Sequence, residues 1–380
     1  MSARLLLSCG EASGDLYAGA LTRELRLLAP HLEVSGRAGP EFARGGGTLV
    51  ADYRGLAVTG FTEIARTVPR LFAVKRRLVA LAKAQRPQAL VVIDYFGFNA
   101  RLARDVKALG IPVVYYVSPQ IWAWRAGRID TLRAITDRML VIFPFEEAIY
   151  QRAGVPVEFV GHPLVDLVRS IPRSGFLERL GLQPDLPTIG VLPGSRTSEV
   201  RRILPTLLEA ARAIRATVPL AQFVLARAPG LDDHLFAPAR DLAGLAIVEG
   251  ETDAVLGSVD VALTASGTAT VQTALHGTPM IVVYRVSPLE YRIGRRFVTV
   301  DNFAMVNLIA GERIVPELIQ DAFTPDAVAR EAVSMLTDPA RAAKIRDGLA
   351  DVRRKLGGPG ASRRAAQAIL RVMGEPCDPS

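Results

Sequence analysis

Short apolar runs recur along this chain, and helical periodicity fills most of the gaps between them. Runs at 4–8, 49–51, 89–93, 113–117, 139–142 and 158–160 are followed, after a break, by runs at 188–192, 222–226, 246–248, 259–263 and 280–284. Strands buried on both faces read as continuous apolar stretches, and strands that alternate with helices assemble into parallel sheets. The spacing therefore predicts an α/β chain with doubly wound parallel sheets. A polar, proline-bearing stretch at 183–187 separates the two sets of runs, and 380 residues is long for one core but suits two. We expect one domain over 1–185, a second over 186–340, and a helical tail, 341–380, that packs back toward the first. Helical patterning over 324–373 is broken at Pro339 and at 357–360.

Several turns fall at the carboxyl ends of these runs, where open α/β sheets bind ligands. In VDVALTASGTATVQTALHGTPMIVVYR (259–285) the run ends at Ser266-Gly267-Thr268. Ser266 is a suitable N-cap for the helix that follows, whose free amides and dipole suit an anion. Gly277 suits a left-handed C-cap and Pro279 blocks continuation. The residues alone allow either an ordinary βαβ element or a phosphate seat. At 192–196, Leu-Pro-Gly-Ser-Arg places Ser195 and Arg196 in a similar turn, and arginine's planar fork suits a pyrophosphate. No Gly-Lys-Ser/Thr follows, which excludes a nucleotide-hydrolysing P-loop.

The first run leads into Gly10-Glu11-Ala12-Ser13-Gly14-Asp15 and a helix over 16–28, a Rossmann-like opening without the G-x-G-x-x-G of dinucleotide sites. Asp94 ends the run at 89–93 and could act as a base or brace a loop. Both tryptophans, Trp122 and Trp124, precede Arg125, as a sugar or acyl platform or as packing. His162 stands near the domain junction with no metal-ligand spacing around it, and no G-x-S-x-G elbow supports serine hydrolysis.

The formal charge of +8 favours phosphate-rich partners, including nucleotide-sugars, nucleic acid or anionic lipid. Basic residues cluster at 75–77, at 201–202, at Arg292 with Arg295 and Arg296, and at 353–355, each of which also reads as a solvated helix face. Phe61, Ile64, Val68, Leu71, Phe72 and Leu78 recur at helical spacing, interrupted at Pro69, and could cover the sheet or meet a membrane surface. Cys9 and Cys377 offer no disulfide framework, so a reducing compartment fits. The apolar start at 5–7 is too short for a signal peptide, and no stretch reaches the roughly 20 apolar residues of a transmembrane helix. A soluble or peripheral cytoplasmic protein is expected. No aromatic-basic motif supports nucleic-acid binding.

Taken in order, eight segments resemble one family. They are GEASGD (10–15), the segment from Ile93-Asp94 to Asn99, YYVSPQIWAWR (115–125), FPFE (143–146), GHPLVD (161–166), LPGSRTSEV (192–200), ASGTATVQTALHGTPMIVVYR (265–285) and VNLIAGERIVPELIQ (306–320). They resemble the lipid-A-disaccharide synthases, glycosyltransferase family 19 of the GT-B type, over nearly the whole chain. The resemblance implies two Rossmann-like domains facing an interdomain cleft, the first binding acceptor and the second a UDP-sugar donor. It implies inverting transfer from UDP-2,3-diacylglucosamine to 2,3-diacylglucosamine 1-phosphate, giving lipid A disaccharide 1-phosphate and UDP. A GT-B enzyme using a UDP-sugar with another lipid acceptor is the alternative. Asp94 is then the general base, while Arg196, Ser195 and Asn307 hold UDP. Ser266, Gly267 and Thr268 hold its diphosphate, and Gln272 meets a ribose hydroxyl. Ser13, Asp15, Asn99 and Trp124 fall on the acceptor side. No metal and no cofactor is implied. The partners are the two acylated sugar substrates and the cytoplasmic face of the inner membrane, for a monomer or homodimer that binds no nucleic acid. The chain departs from the family pattern at Gly97, where a second aspartate is usual, at Gln272 for glutamate, and at Val306 for proline.

Overall fold

The computed structural model describes residues 3–54, 61–121, 127–287, 291 and 303–375, and of 61–67 the backbone only. Its contacts divide the chain into two compact units, Met1–Leu167 with Leu356–Ser380, and Val168–Lys355.

The first unit holds β1 (Arg4–Ser8), β2 (Glu33–Ala38), β3 (Thr48–Asp52), β4 (Ala89–Ile93), β5 (Val113–Tyr116), β6 (Arg138–Val141) and β7 (Val157–Phe159) in the order β3-β2-β1-β4-β5-β6-β7. The second holds β8 (Thr188–Leu192), β9 (Gln222–Arg227), β10 (Leu245–Glu249), β11 (Val261–Ala265), β12 (Met280–Tyr284) and β13 (Glu317–Ile319) in the order β10-β9-β8-β11-β12-β13. Every strand pair is parallel, as the continuous apolar runs require. Central strands such as β4, β8 and β11 are buried along their whole length.

Two strands were not legible as apolar runs. Glu, Ser, Gly and Arg occupy β2, which forms because it pairs between β1 and β3 and because Gly36 lets the Leu7 backbone approach; a Cβ there would lie 1.9 Å from the Leu7 carbonyl oxygen. The other, β13, is a three-residue edge strand beside β12. The helix expected at 16–28 begins earlier, at Ala12, so Ser13 and Asp15 lie in its first turn. The run expected at 259–263 forms its strand two residues later, because Val259 caps the preceding helix, Thr252–Ser258. Helix Phe61–Gln85 continues through Pro69 instead of breaking there.

The units divide at Leu167/Val168 and Lys355/Leu356, not at 185 and 340. Connector residues join the second core: Arg173 reaches both carboxylate oxygens of Asp260, at 2.9 and 3.0 Å, and the Pro184 and Leu186 carbonyls. Helix Pro339–Lys355 also packs in the second unit, where Arg353 donates to the Leu275 carbonyl and Lys355 to those of Ile309 and Ala310. Cations at helix carboxyl ends are favourable, so this basic cluster is in large part structural. Only the last helix, Ala361–Met373, packs on the first unit, against Ala12–Leu28.

Candidate active site

In each sheet the strand order reverses at one place, between β1 and β4 and between β8 and β11. Crevices at such switch points, beyond the carboxyl ends of the strands, are where open α/β sheets take ligands. Asp94 leaves the end of β4, and the Ser195 and Ser266 turns leave β8 and β11, which pair as far as Leu192 and Thr264.

Asp94 and Tyr95 both adopt left-handed backbone conformations, with φ of 44° and 48°. Such conformations cost non-glycine residues about 1–3 kcal/mol each and persist only where surroundings impose them. Here the Asp94 carbonyl accepts from Asn99 Nδ2 and from the Tyr115 hydroxyl, each at 2.8 Å. Burial, then the Asp94 charge, raises the Tyr115 pKa well above its ordinary value, so the phenol stays protonated and donates. Asn99 is fully buried; its amide also donates to Ile93 and Ser8 carbonyls and its oxygen accepts from the Ser8 hydroxyl at 2.8 Å. These contacts join the ends of β1 and β4 and leave Asn99 no group for a substrate.

Asp15 is likewise buried. Its carboxylate accepts from the amides of Gly39 at 2.7 Å, Glu41 at 3.0 Å and Phe42 at 3.1 Å, fixing the start of the short helix Pro40–Arg44. Ser13 is half-buried in the first turn beside it, and Trp124 lies outside the described residues. Asp15 and Asn99 thus brace loop backbone at strand ends of the first unit. His162 is buried, its Nδ1 accepting from the Leu164 amide at 3.2 Å, and burial lowers its pKa to about 3. It is a neutral packing residue.

In the second unit, Gly194 takes a φ of 117°, and the helix Thr197–Thr217 follows. Glu199, at the third helical position, accepts from the amides of Ser195 at 3.0 Å and Arg196 at 3.3 Å, and from Arg196 Nη1 at 3.2 Å. The carboxylate that shapes the turn therefore also orients the arginine, whose side chain is 56% exposed. Sequence reasoning missed this role of Glu199, because the residue three positions before it is Arg196 and not the Ser or Thr of a capping box.

At the β11 turn the helix is Thr268–His276, and its N-cap is Gly267, not Ser266. Because the strand runs on to Ala265, Ser266 still belongs to the turn, and its hydroxyl faces the Phe303 carbonyl at 3.5 Å. Gly267 has a φ of 155°, in a region open essentially to glycine. No side chain caps this helix start, and Gly267 and Thr268 are exposed. The amide end of the helix dipole is thereby displayed. One turn on, Gln272 Nε2 lies 3.4 Å from Asp253 Oδ1, which also meets His276 Nε2 at 3.1 Å.

Asn307 is fully buried and engaged at both ends of its amide. It donates to Glu317 Oε1 at 2.7 Å and the Val315 carbonyl at 3.0 Å, and accepts from the Ile314 and Val315 amides. Glu317 in turn takes the Phe303 and Ala304 amides. Asn307 therefore holds Glu317, which in turn holds the 303–304 backbone beside Ser266, and it does not itself present a donor. Among the described residues no group of three or more His, Cys, Asp or Glu side chains is placed to hold a metal ion.

The chain matches the family model described as Lipid-A-disaccharide synthetase over residues 5–372. A lipid-A-disaccharide synthase of Geobacter sulfurreducens is 42% identical over 380 residues, covering 98% of each chain. Among solved structures, a putative UDP-N-acetylglucosamine 2-epimerase from Listeria monocytogenes matches with a TM-score of 0.68 at 13% identity, covering 100% of this chain and 99% of that one. The glycotransferase of kitacinnamycin matches with a TM-score of 0.65 at 18% identity, covering 98% of this chain and 100% of that one. These structural likenesses show the fold, the two parallel-sheet α/β units of the GT-B type. On its sequence, the chain belongs to the lipid-A-disaccharide synthetase family, hexosyltransferases of lipid A biosynthesis.

Proposed function

We propose that the chain joins UDP-2,3-diacylglucosamine to 2,3-diacylglucosamine 1-phosphate with inversion. The acceptor's 6'-hydroxyl attacks the anomeric carbon while Asp94 takes its proton. The bond from that carbon to the diphosphate breaks, and UDP leaves with the electron pair. Arg196 and the displayed amides at Gly267 and Thr268 stabilise the departing charge, a task for which fixed dipoles suffice. Asn99, Asp15, Glu199 and Asn307 keep these groups in place. What carries the reading is the coincidence of family segments with both switch points, Asp94 at one and Arg196 with Ser266 at the other.

A peripheral site of action on the cytoplasmic face of the inner membrane fits helix Phe61–Gln85. Its Leu78 and Ala82 are buried in the first core, while Val68 and Phe72 are 38% and 47% exposed beside Arg70, Arg76 and Arg77. An apolar edge flanked by arginines suits an anionic lipid surface. Among the described residues no helix is long and apolar enough to cross a membrane.

A UDP-bound crystal structure tests the donor half: the diphosphate is expected on Arg196 and the Ser266 turn, and a nucleotide bound elsewhere refutes it. Purified protein given both proposed substrates should release UDP and form the disaccharide. Failure with that pair, alongside turnover of another lipid acceptor, favours the alternative.

A further inference from the structure

Arg37 is the anomaly of the first unit. It lies near the end of β2 in register with Ser8, and it is 0% exposed. Its Nη1 donates to the Cys9 carbonyl at 2.8 Å, and among the described residues Nε and Nη2 have no well-formed hydrogen bond, the Tyr95 hydroxyl being the side-chain partner that offsets the burial-driven fall of the pKa. Burial depresses its pKa, with Tyr95 and Cys9 opposing. Buried donors are rarely left unpaired, and an arginine selected for its fork would have filled both. The guanidinium instead packs against two aromatic rings.

Its Cζ stands 5.0 Å from the Tyr95 ring centroid and 4.6 Å from that of Phe98. Attraction between a cation and an aromatic face is strongest where water is excluded. The Tyr95 ring also packs on Gly10, where a Cβ would fall 2.2 Å from its Cγ. Tyr95 is the second member of the left-handed pair, and its neighbour is Asp94. Hydrogen bonds to its carbonyl hold Asp94, whereas Tyr95 is held by its ring and by the Phe98 and Asn99 amides that its carbonyl accepts.

We propose that Arg37 is a positioning residue for Asp94, its buried cation keeping the Tyr95 ring beside Gly10 and so holding the Asp94–Tyr95 pair in the conformation that aims the carboxylate. The proposal rests on the reading of Asp94 as base.

The test uses steady-state UDP release from the two proposed substrates by full-length variants, with melting temperatures alongside. Arg37→Met removes the cation and keeps the bulk; Tyr95→Leu removes the ring. Each is expected to lower kcat about tenfold while KM for the UDP-sugar stays within about twofold. The double variant should lose no more than either single one, because both remove one interaction. Arg37→Lys and Tyr95→Phe keep cation and ring respectively, and should stay within about threefold of the parent. Should Arg37→Met not fold, Tyr95→Leu against Tyr95→Phe and Arg37→Lys carry the test. Parental kcat in Arg37→Met, or losses that multiply in the double variant, overturn the proposal. Asp94→Asn separates the two ideas. If it keeps parental kcat the base reading fails, and if it is inactive while Arg37→Met is normal, only the positioning role fails.

Discussion

Asp94 pairs an acidic side chain with a strained backbone, and the strain is held by named contacts: Asn99 and Tyr115 on its carbonyl, and the packed Tyr95 ring beside it. General-base catalysis contributes roughly 10²–10⁴-fold, so Asp94→Asn should lower kcat by about that factor with substrate binding retained. UDP release measures the first and titration of UDP the second. His162 makes a separate prediction. Its folded pKa of about 3 lies below the ordinary 6.5, so the unfolded chain takes up a proton that the folded chain refuses. Stability from this group is complete above pH 6.5 and is lost as pH falls toward 3. The slope is at most about 1.4 kcal/mol per pH unit. Denaturant melts of the parent across that window should show it, and His162→Gln should flatten it; an unchanged slope would falsify the assignment. That Asp94, Arg196 and Ser266 fall just beyond strand ends was legible, because each follows an apolar run. That Asp15, Asn99 and Asn307 serve the backbone was not, since nothing local in a sequence says which amides will surround an acid or amide.

At the scale of elements, the second unit holds two helix starts treated differently. Glu199 fills the first with a carboxylate, whereas the second, at Gly267, has no side-chain cap. Gly267→Ala tests this. A Cβ there would meet nothing within 4 Å, but the φ of 155° is strained for alanine. The expected outcome is a cost of about 1–3 kcal/mol or a shifted turn. A rise in KM for the UDP-sugar, with KM for the acceptor unchanged, would express it; equal effects on both substrates would argue against a donor role. Helix Phe61–Gln85 carries the corresponding prediction for the membrane. Val68→Ser with Phe72→Ser should weaken sedimentation with anionic vesicles and leave turnover of detergent-dispersed substrates near the parent value. Unchanged vesicle binding removes that helix from the contact.

Across the molecule, each unit is closed by residues distant in sequence. The Asp166 carboxylate accepts from the Gly360 amide at 2.6 Å and the Ser362 amide at 3.0 Å, supplying the cap that glycine cannot give to helix Ala361–Met373. Asp166→Ala should therefore cost about 1–2 kcal/mol and speed proteolysis of the chain end; a parental melting temperature together with parental proteolysis would show that the cap is dispensable. The sequence by itself determined the class of fold, because parallel strands buried on both faces must be continuous apolar runs, and helices between them must keep helical period. It also determined the turns that close those runs, since glycine, serine and proline act on the backbone locally. Only tertiary structure decided that Glu33–Ala38 is a strand, that residues 168–185 and helix Pro339–Lys355 belong to the second core, and which motif residues face outward. Those outcomes depend on partners far away in the chain. A β2 with little apolar content forms because two neighbours pair with it, and a buried Arg37 is placed by rings that lie some sixty residues on, at Tyr95 and Phe98. No local pattern encodes such pairings, because the free energy that fixes them arises only when the sheet has closed around them.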